Sequence, residues 1–214
     1  MAVQAPAEGF DSRIARVLDC FELSTPPQVA RQLALYCDLA VTWNQRVDLT
    51  AARSADELVD LLLADALAIA SALPGAADER WVDVGSGVGA PGIPLALLLP
   101  VQMTLVEPRE KRVAFLRTAV GSLARGDIAV SRMRSDRLAE ASCDVAVSRA
   151  TLPPEEWLAE GARLASRRVW LLLAKAGLPD IGQRTVAADV RYHWPLTGAE
   201  RRAVCVTVKD PAAP

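Results

Sequence analysis

Trp81-Val82-Asp83-Val84-Gly85-Ser86-Gly87-Val88-Gly89-Ala90-Pro91-Gly92-Ile93-Pro94 is the stretch that decides the fold. It leaves an apolar run, crosses four glycines and enters a second apolar run, which reads as strand, tight turn and helix with backbone free to approach a ligand. Downstream, short apolar runs at 81–85, 102–107, 127–131, 143–148 and 168–174 alternate with helical segments at about 91–99, 109–125 and 153–166. That alternation is the order of parallel β-α-β units. The best-marked crossover helix sets Val113, Leu116, Val120 and Leu123 on one face, with Gly126 expected as its left-handed stop. Two further strand-like runs, 186–192 and 203–208, read as a closing antiparallel hairpin.

Upstream, the period is helical. Val29, Leu33, Tyr36, Ala40 and Trp43 recur at spacings of four and three, as on a helix with one buried face. Ser54 and Glu57 form an S-x-x-E capping box, and Leu58, Leu62, Ile69 and Leu73 continue an apolar stripe behind it. The chain therefore reads as α/β: a Rossmann-like sheet over 76–214 and an N-terminal helical extension over 1–75, packed as one compact unit. Met1 to about Gly9 and Pro211 to Pro214 are expected to lack order.

With 214 residues, 51% of them hydrophobic, the chain can bury one sizeable core but is short for two catalytic domains. A formal net charge of −2 removes whole-chain basicity, so any nucleic-acid surface has to be a local basic face. Cys20, Cys37, Cys143 and Cys205 lie far apart without a CxxC pair, which points to neither a metal site nor a disulfide framework. The N-terminus lacks a basic start and an apolar run, and no stretch reaches the length of a membrane span. A cytoplasmic, monomeric protein without metal is expected.

The glycines at 87, 89 and 92 satisfy G-x-G-x-x-G, so a dinucleotide is one candidate ligand. Asp83 favours another. It stands at the strand end facing the ligand, where a pyrophosphate would meet a negative charge but a cation would be welcome. S-adenosylmethionine carries an ammonium and a sulfonium and no phosphate, which suits Asp83. Glu107, closing the second strand after T-L-V, is placed to accept ribose hydroxyls, a role shared by either cofactor. A tight turn capped by two acids, with no ligand at all, is the third reading.

Four segments then carry a family likeness: W-N-Q-R-V-D-L-T-A at 43–51, D-V-G-S-G-V-G-A-P-G-I-P-L-A at 83–96, K-R-V-A-F-L-R at 111–117 and V-S-R-A at 147–150. The chain resembles the RsmG family, also called GidB, bacterial methyltransferases that place a methyl on guanine N7 of small-subunit (16S) ribosomal RNA. The likeness spans about residues 29–208. It implies an S-adenosylmethionine pocket built by Asp83, Gly85, Ser86, Gly87 and Gly89, with Glu107 on the ribose and S-adenosylhomocysteine as product. It further implies that Arg134-Ser135-Asp136 meets the adenine end and that Asp65, Arg149 and Lys175 stand at the transfer site. Arg134, Arg149, Lys175 and Arg201 would face ribosomal RNA or the small subunit. The chain departs from the family at Leu61-Leu62-Leu63-Ala64-Asp65-Ala66-Leu67, where a basic residue, a histidine and a serine are replaced, and at Ala176, which displaces a glycine.

Methyl transfer from a sulfonium is an in-line displacement that asks mainly for alignment and exclusion of water. Guanine N7 has a lone pair and no proton to lose, so no general base is required. Cytosine C5 chemistry would need an attacking thiol, whereas Cys143 follows Ser142 within a strand-like run and reads as buried and inert. Amino-group methylation commonly uses an N/D/S-P-P-aromatic run, whereas residues 148–155 read S-R-A-T-L-P-P-E, whose prolines start a helix. His193, between Tyr192 and Trp194, is expected to pack rather than to stack on a base. Arg112, Arg117, Arg125, Arg132, Arg134 and Arg137 form either a phosphate track or a solvated face. A small-molecule methyltransferase and a non-catalytic cofactor-binding protein are the competing functions, both favoured by the altered 61–66 stretch.

Overall fold

The computed structural model describes Val3, Pro6 and residues 9–73 and 77–208. Seven strands form one sheet in the order β3-β2-β1-β4-β5-β7-β6. They are β1 (Arg80–Val84), β2 (Gln102–Val106), β3 (Ile128–Ser131), β4 (Cys143–Ser148), β5 (Ala165–Leu173), β6 (Val186–His193) and β7 (Glu200–Thr207). The first five run parallel, and β7 pairs antiparallel with both β5 and β6, as the hairpin pattern implied. After β3 the chain returns past β1 to start β4. The strand order therefore reverses between β1 and β4, and ligands of such sheets bind at that crevice.

Helices cover both faces, which is why the central strands are apolar without strict alternation. In β1, Trp81 joins the larger core cluster while Val82 and Val84 join the smaller one on the opposite face. The larger cluster receives α1 (Asp11–Cys20), α2 (Pro27–Asn44), α5 (Gly92–Leu98) and α6 (Glu110–Ser122); the smaller receives α7 (Pro154–Leu164) through Trp157, Leu158 and Leu164. Leu33, Tyr36 and Ala40 are fully buried along α2, and Trp43 meets Phe115 edge-on at 5.8 Å.

Ser54 caps α3 (Ala55–Val59) by accepting from Glu57 N at 3.1 Å, while the Glu57 carboxylate returns to Arg53 N rather than to the Ser54 N–H of an ideal box. Between α3 and α4 (Asp65–Ala72), residues Asp60–Ala64 form a π-helical turn. Asp60 and Asp65 would point roughly 140° apart on a regular α-helix, at 100° per residue. The wider turn brings both round to the β6–β7 hairpin. The Asp60 carboxylate accepts from Leu196 N, Thr197 N and Thr197 Oγ1 at 2.8–3.2 Å, and Asp65 accepts from Tyr192 and Trp194.

Three details differ from the sequence reading. Gly126 is not the left-handed stop of α6: Ala124 takes that conformation, with φ 52°, because Ala124 N bonds Gly121 O and Arg125 N reaches back to Val120 O. Strand β5 starts at Ala165, directly after α7, instead of at 168. The ends expected to lack order lie outside the described residues except Val3, Pro6 and Gly9, and of these Val3 is buried in the core. The expected domain boundary at 75/76 also lies outside the described residues.

Gly92 begins α5 where a Cβ would come within 2.4 Å of Leu105 Cδ2 and 2.7 Å of Asp83 Oδ2. Gly92→Ala should therefore destabilise the protein by about 1–3 kcal/mol in urea denaturation. Gly121→Ala, in open space on α6, should be neutral or slightly stabilising in the same assay.

Candidate active site

The loop after β1 is held from three directions. Gly85 N and Ser86 N donate to Val106 O at 2.8 and 3.1 Å, and Ser86 Oγ donates to Asp83 O at 2.8 Å. Gly87 N donates to Glu107 Oε2 at 3.0 Å, and Gly92 N donates to Asp83 Oδ2 at 3.0 Å. From the helical extension, the buried Tyr36 hydroxyl donates to Val88 O at 2.8 Å. Gly85 has φ +70°, and a Cβ there would lie 2.3 Å from Thr151 Oγ1, so both backbone and neighbour demand glycine.

Both acids named from the sequence thus spend one oxygen on the loop. Glu107 gives its other oxygen to Arg109 N at 2.8 Å. Asp83 Oδ1 is buried without a hydrogen-bond partner among the described residues. Burial pushes the Asp83 carboxyl up to about 7, against the lowering effects of Gly92 N–H, Arg149 and Ser86; Glu107 raises it further. A buried, partnerless carboxylate oxygen beside glycine backbone could hold an ammonium group. Glu107 keeps acceptor capacity for a diol, so the residues fit S-adenosylmethionine.

Beside this loop, beyond the carboxyl ends of β4 and β5, lies a cavity of about 370 Å³ lined among others by Asp65, Arg149, Lys175, Tyr192, Trp194 and Arg201. Asp65 is 3% exposed. Its Oδ1 accepts from Tyr192 OH at 2.7 Å and Trp194 Nε1 at 3.2 Å, and its Oδ2 faces Arg149 at 3.4 Å. Arg149 also donates to Leu61 O. The Arg201 guanidinium stacks 3.9 Å above the Trp194 ring. Burial, then Asp65, holds the Tyr192 hydroxyl far above the ordinary tyrosine range, so it remains a donor.

The structure brings together Asp65, Arg149, Lys175 and Arg201 in the cavity, and Asp83, Gly85, Ser86, Gly87, Gly89 and Glu107 in the adjoining loop site. Arg134, Ser135 and Asp136 lie outside both groups, on the turn after β3, whose last residue accepts from Glu107 N at 3.1 Å; Arg134 pairs with Asp136 at 3.4 Å and is 78% exposed. Arg163 on α7 fixes that turn by donating to Ser135 O and Leu138 O, both at 2.9 Å. In the arginine run, Arg125 pairs with Asp127, Arg132 with Glu110, and Arg134 and Arg137 with Asp136, the last three as solvent-exposed pairs.

His193 does not pack: it is 67% exposed and 3.8 Å from Glu200, because β6 alternates and turns Tyr192 inward instead. Tyr192 and Trp194, the donors to Asp65, are the site residues the sequence reading passed over. Tyr36 is a third. Cys143 is buried, donates to Leu164 O at 3.3 Å and is pushed up to about 12, so it is no nucleophile. Among the described residues no cluster of His, Cys, Asp and Glu could hold a metal, and no helix is long and apolar enough to cross a membrane.

The profile of the GidB family, described as rRNA small subunit methyltransferase G, matches residues 29–190. The ribosomal RNA small subunit methyltransferase G of Dichelobacter nodosus is 38% identical over 151 residues, covering 70% of this chain and 71% of that protein. That of Stenotrophomonas maltophilia is 35% identical over 187 residues, covering 84% and 87%. Among solved structures, magnesium protoporphyrin IX methyltransferase from Synechocystis PCC 6803 with bound SAM superposes with a TM-score of 0.50 at 19% identity, covering 92% of each chain, a likeness of fold. With three quarters of its length inside the family profile and the glycine loop, both acids and the cationic cavity in place, the chain belongs to the GidB family, the rRNA small subunit methyltransferases G.

Proposed function

We propose that this protein is a cytoplasmic, monomeric enzyme that transfers the methyl group of S-adenosylmethionine to N7 of a guanine in small-subunit ribosomal RNA. The observation that carries the choice of acceptor is the state of Asp65. Among the described residues it is the one carboxylate lining the cavity, and its oxygens are engaged by Tyr192, Trp194 and Arg149. Such a group is poorly placed to take a proton, and N7 is an acceptor that gives none up.

S-adenosylmethionine, when bound, supplies an electrophilic methyl on a sulfonium. Asp83 meets the ammonium end and Glu107 the ribose, while the glycine loop lets backbone approach both. Arg134, Ser135 and Asp136 serve the adenine end, with Arg163 holding their turn. In the cavity Asp65 positions Arg149, and Arg149, Lys175 and Arg201 meet the guanine oxygen and the phosphates. Tryptophan and leucine side chains of the cavity wall exclude water from the transfer.

Asp83 gives the first test. Its carboxyl, raised to about 7 in the folded protein against about 3.9 in an unfolded chain, favours the fold below pH 4, and that contribution is lost as pH rises through 7. Relative to Asp83→Asn, the ligand-free wild type should lose on the order of 4 kcal/mol of stability between those limits, read from urea midpoints. A bound ammonium reverses the preference, so affinity for S-adenosylhomocysteine in titration calorimetry should rise with pH up to about 7 in the wild type only. Glu107→Ala should weaken the same binding by about 1–3 kcal/mol, and NAD should bind more weakly than S-adenosylhomocysteine throughout.

The acceptor is tested by single-turnover methylation of small-subunit particles and their RNA. No proton leaves in the transfer, so the rate with saturating cofactor should stay flat from neutral to mildly alkaline pH. The product should be cleavable by reduction and strand scission, as the cationic 7-methylguanosine is. A scission-resistant product together with a rate that climbs with pH would overturn the N7 assignment.

A further inference from the structure

Next to the acceptor cavity, the end of the sheet forms a second concavity of about 450 Å³ lined by Lys175, Arg191, His193, Glu200, Arg201 and Arg202, among others. It shares Lys175, Tyr192 and Arg201 with the acceptor cavity, so the two are continuous. The alternation of β6 turns Val190 and Tyr192 towards the protein and leaves Arg191 and His193 exposed on the other face.

Charge on this face is only partly neutralised. Arg191 pairs directly across the hairpin with Arg202, and like charges opposite one another on a sheet are unfavourable. Asp189 lies near both, yet its two oxygens are hydrogen-bonded by Arg202 alone, at 2.8 and 2.7 Å, which leaves Arg191 with a partial electrostatic balance and no direct contact. Arg191 and Lys175 make no hydrogen bond or ion pair among the described residues. The one acid lining the concavity among the described residues, Glu200, is 88% exposed and stands 3.8 Å from His193. In a chain of net charge −2, Lys175, Arg191, Arg201 and Arg202 therefore outnumber the acids at this concavity.

We propose that the exposed face of the β6–β7 hairpin, with Arg191 as its anchor and Lys175 and Arg201 at the shared mouth, binds phosphates of the single-stranded RNA that flanks the target guanine. The inference rests on the RNA substrate proposed above and adds to it a path for the strand leaving the cavity. Lys175 and Arg201 meet the phosphate nearest the base. Arg191 meets one further along the strand, its guanidinium making no hydrogen bond or ion pair among the described residues. Affinity drawn from such contacts depends on salt, since each neutralised phosphate releases counterions.

The test uses the full chain with S-adenosylhomocysteine bound and a fluorescent single-stranded RNA oligonucleotide, titrated across a range of salt. Arg191→Ala should flatten the plot of log affinity against log salt by about 0.7, the value for one single-strand phosphate contact, and Arg191→Lys should restore the slope. In methylation of small subunits, Arg191→Ala should raise KM severalfold and leave kcat unchanged. S-adenosylhomocysteine affinity, unaltered in both variants, shows that they are folded. Wild-type methylation of RNA combined with a salt slope and KM that ignore Arg191 would overturn the hairpin contact and keep the reaction. An Arg191-dependent slope in a protein that methylates none of the RNA would keep the contact and overturn the reaction.

Discussion

A carboxylate stripped of water at the end of β1 sets the terms for the rest of this molecule. Asp83 is 1% exposed, has one oxygen on Gly92 N and has the other unpartnered among the described residues. Burying an acid this way is costly, and the surroundings are arranged to contain that cost. Gly92 can approach only because it lacks a Cβ, Ser86 ties its hydroxyl to Asp83 O, and Arg149 stands near enough to lower the carboxyl. The glycine spacing is thus less a cradle for a ligand alone than the geometry that allows an acid to stay under the loop.

The helical extension is part of the site rather than an appendage. Tyr36 on α2 holds Val88 of the loop, Leu61 and Asp65 hold Arg149, and Asp60 and Asp65 together grip the hairpin. A sheet of this topology offers the crevice between β1 and β4, but here the cavity beside it is walled by residues of the helical extension and of the C-terminal hairpin as well. The family profile, over residues 29–190, accordingly takes in α2 and the π-helical turn together with the loop and the strands that carry it.

Much of this was legible in the sequence because it is local. Asp83, the glycines and Glu107 lie within one β-α-β unit, where order along the chain fixes order in space. Lys175 and Arg201 were reached through the family likeness and do fall in one cavity with Asp65 and Arg149. What stayed hidden is non-local. Tyr192 and Trp194 meet Asp65 across more than a hundred residues, and nothing in their own neighbourhood names an aspartate as their partner. His193 misled because a lone imidazole between two aromatics looks packed, while strand alternation decides otherwise. Gly126 misled for a similar reason: a glycine near a helix end is a usual stop, yet the closing hydrogen bonds select Ala124.

The π-helical turn at Asp60–Ala64 gives the cavity wall an unusual dependence on chain length. Two aspartates face the same hairpin because the helix carries one residue more per turn there than a regular one does. The cavity wall is consequently written in the count of residues as well as in their identity. Lineages could exchange nearly every side chain along this helix and keep the wall, whereas a single-residue deletion that preserved both acids would swing one of them away from its partners. In this chain a gap in the helix would say as much about the pocket as a substitution.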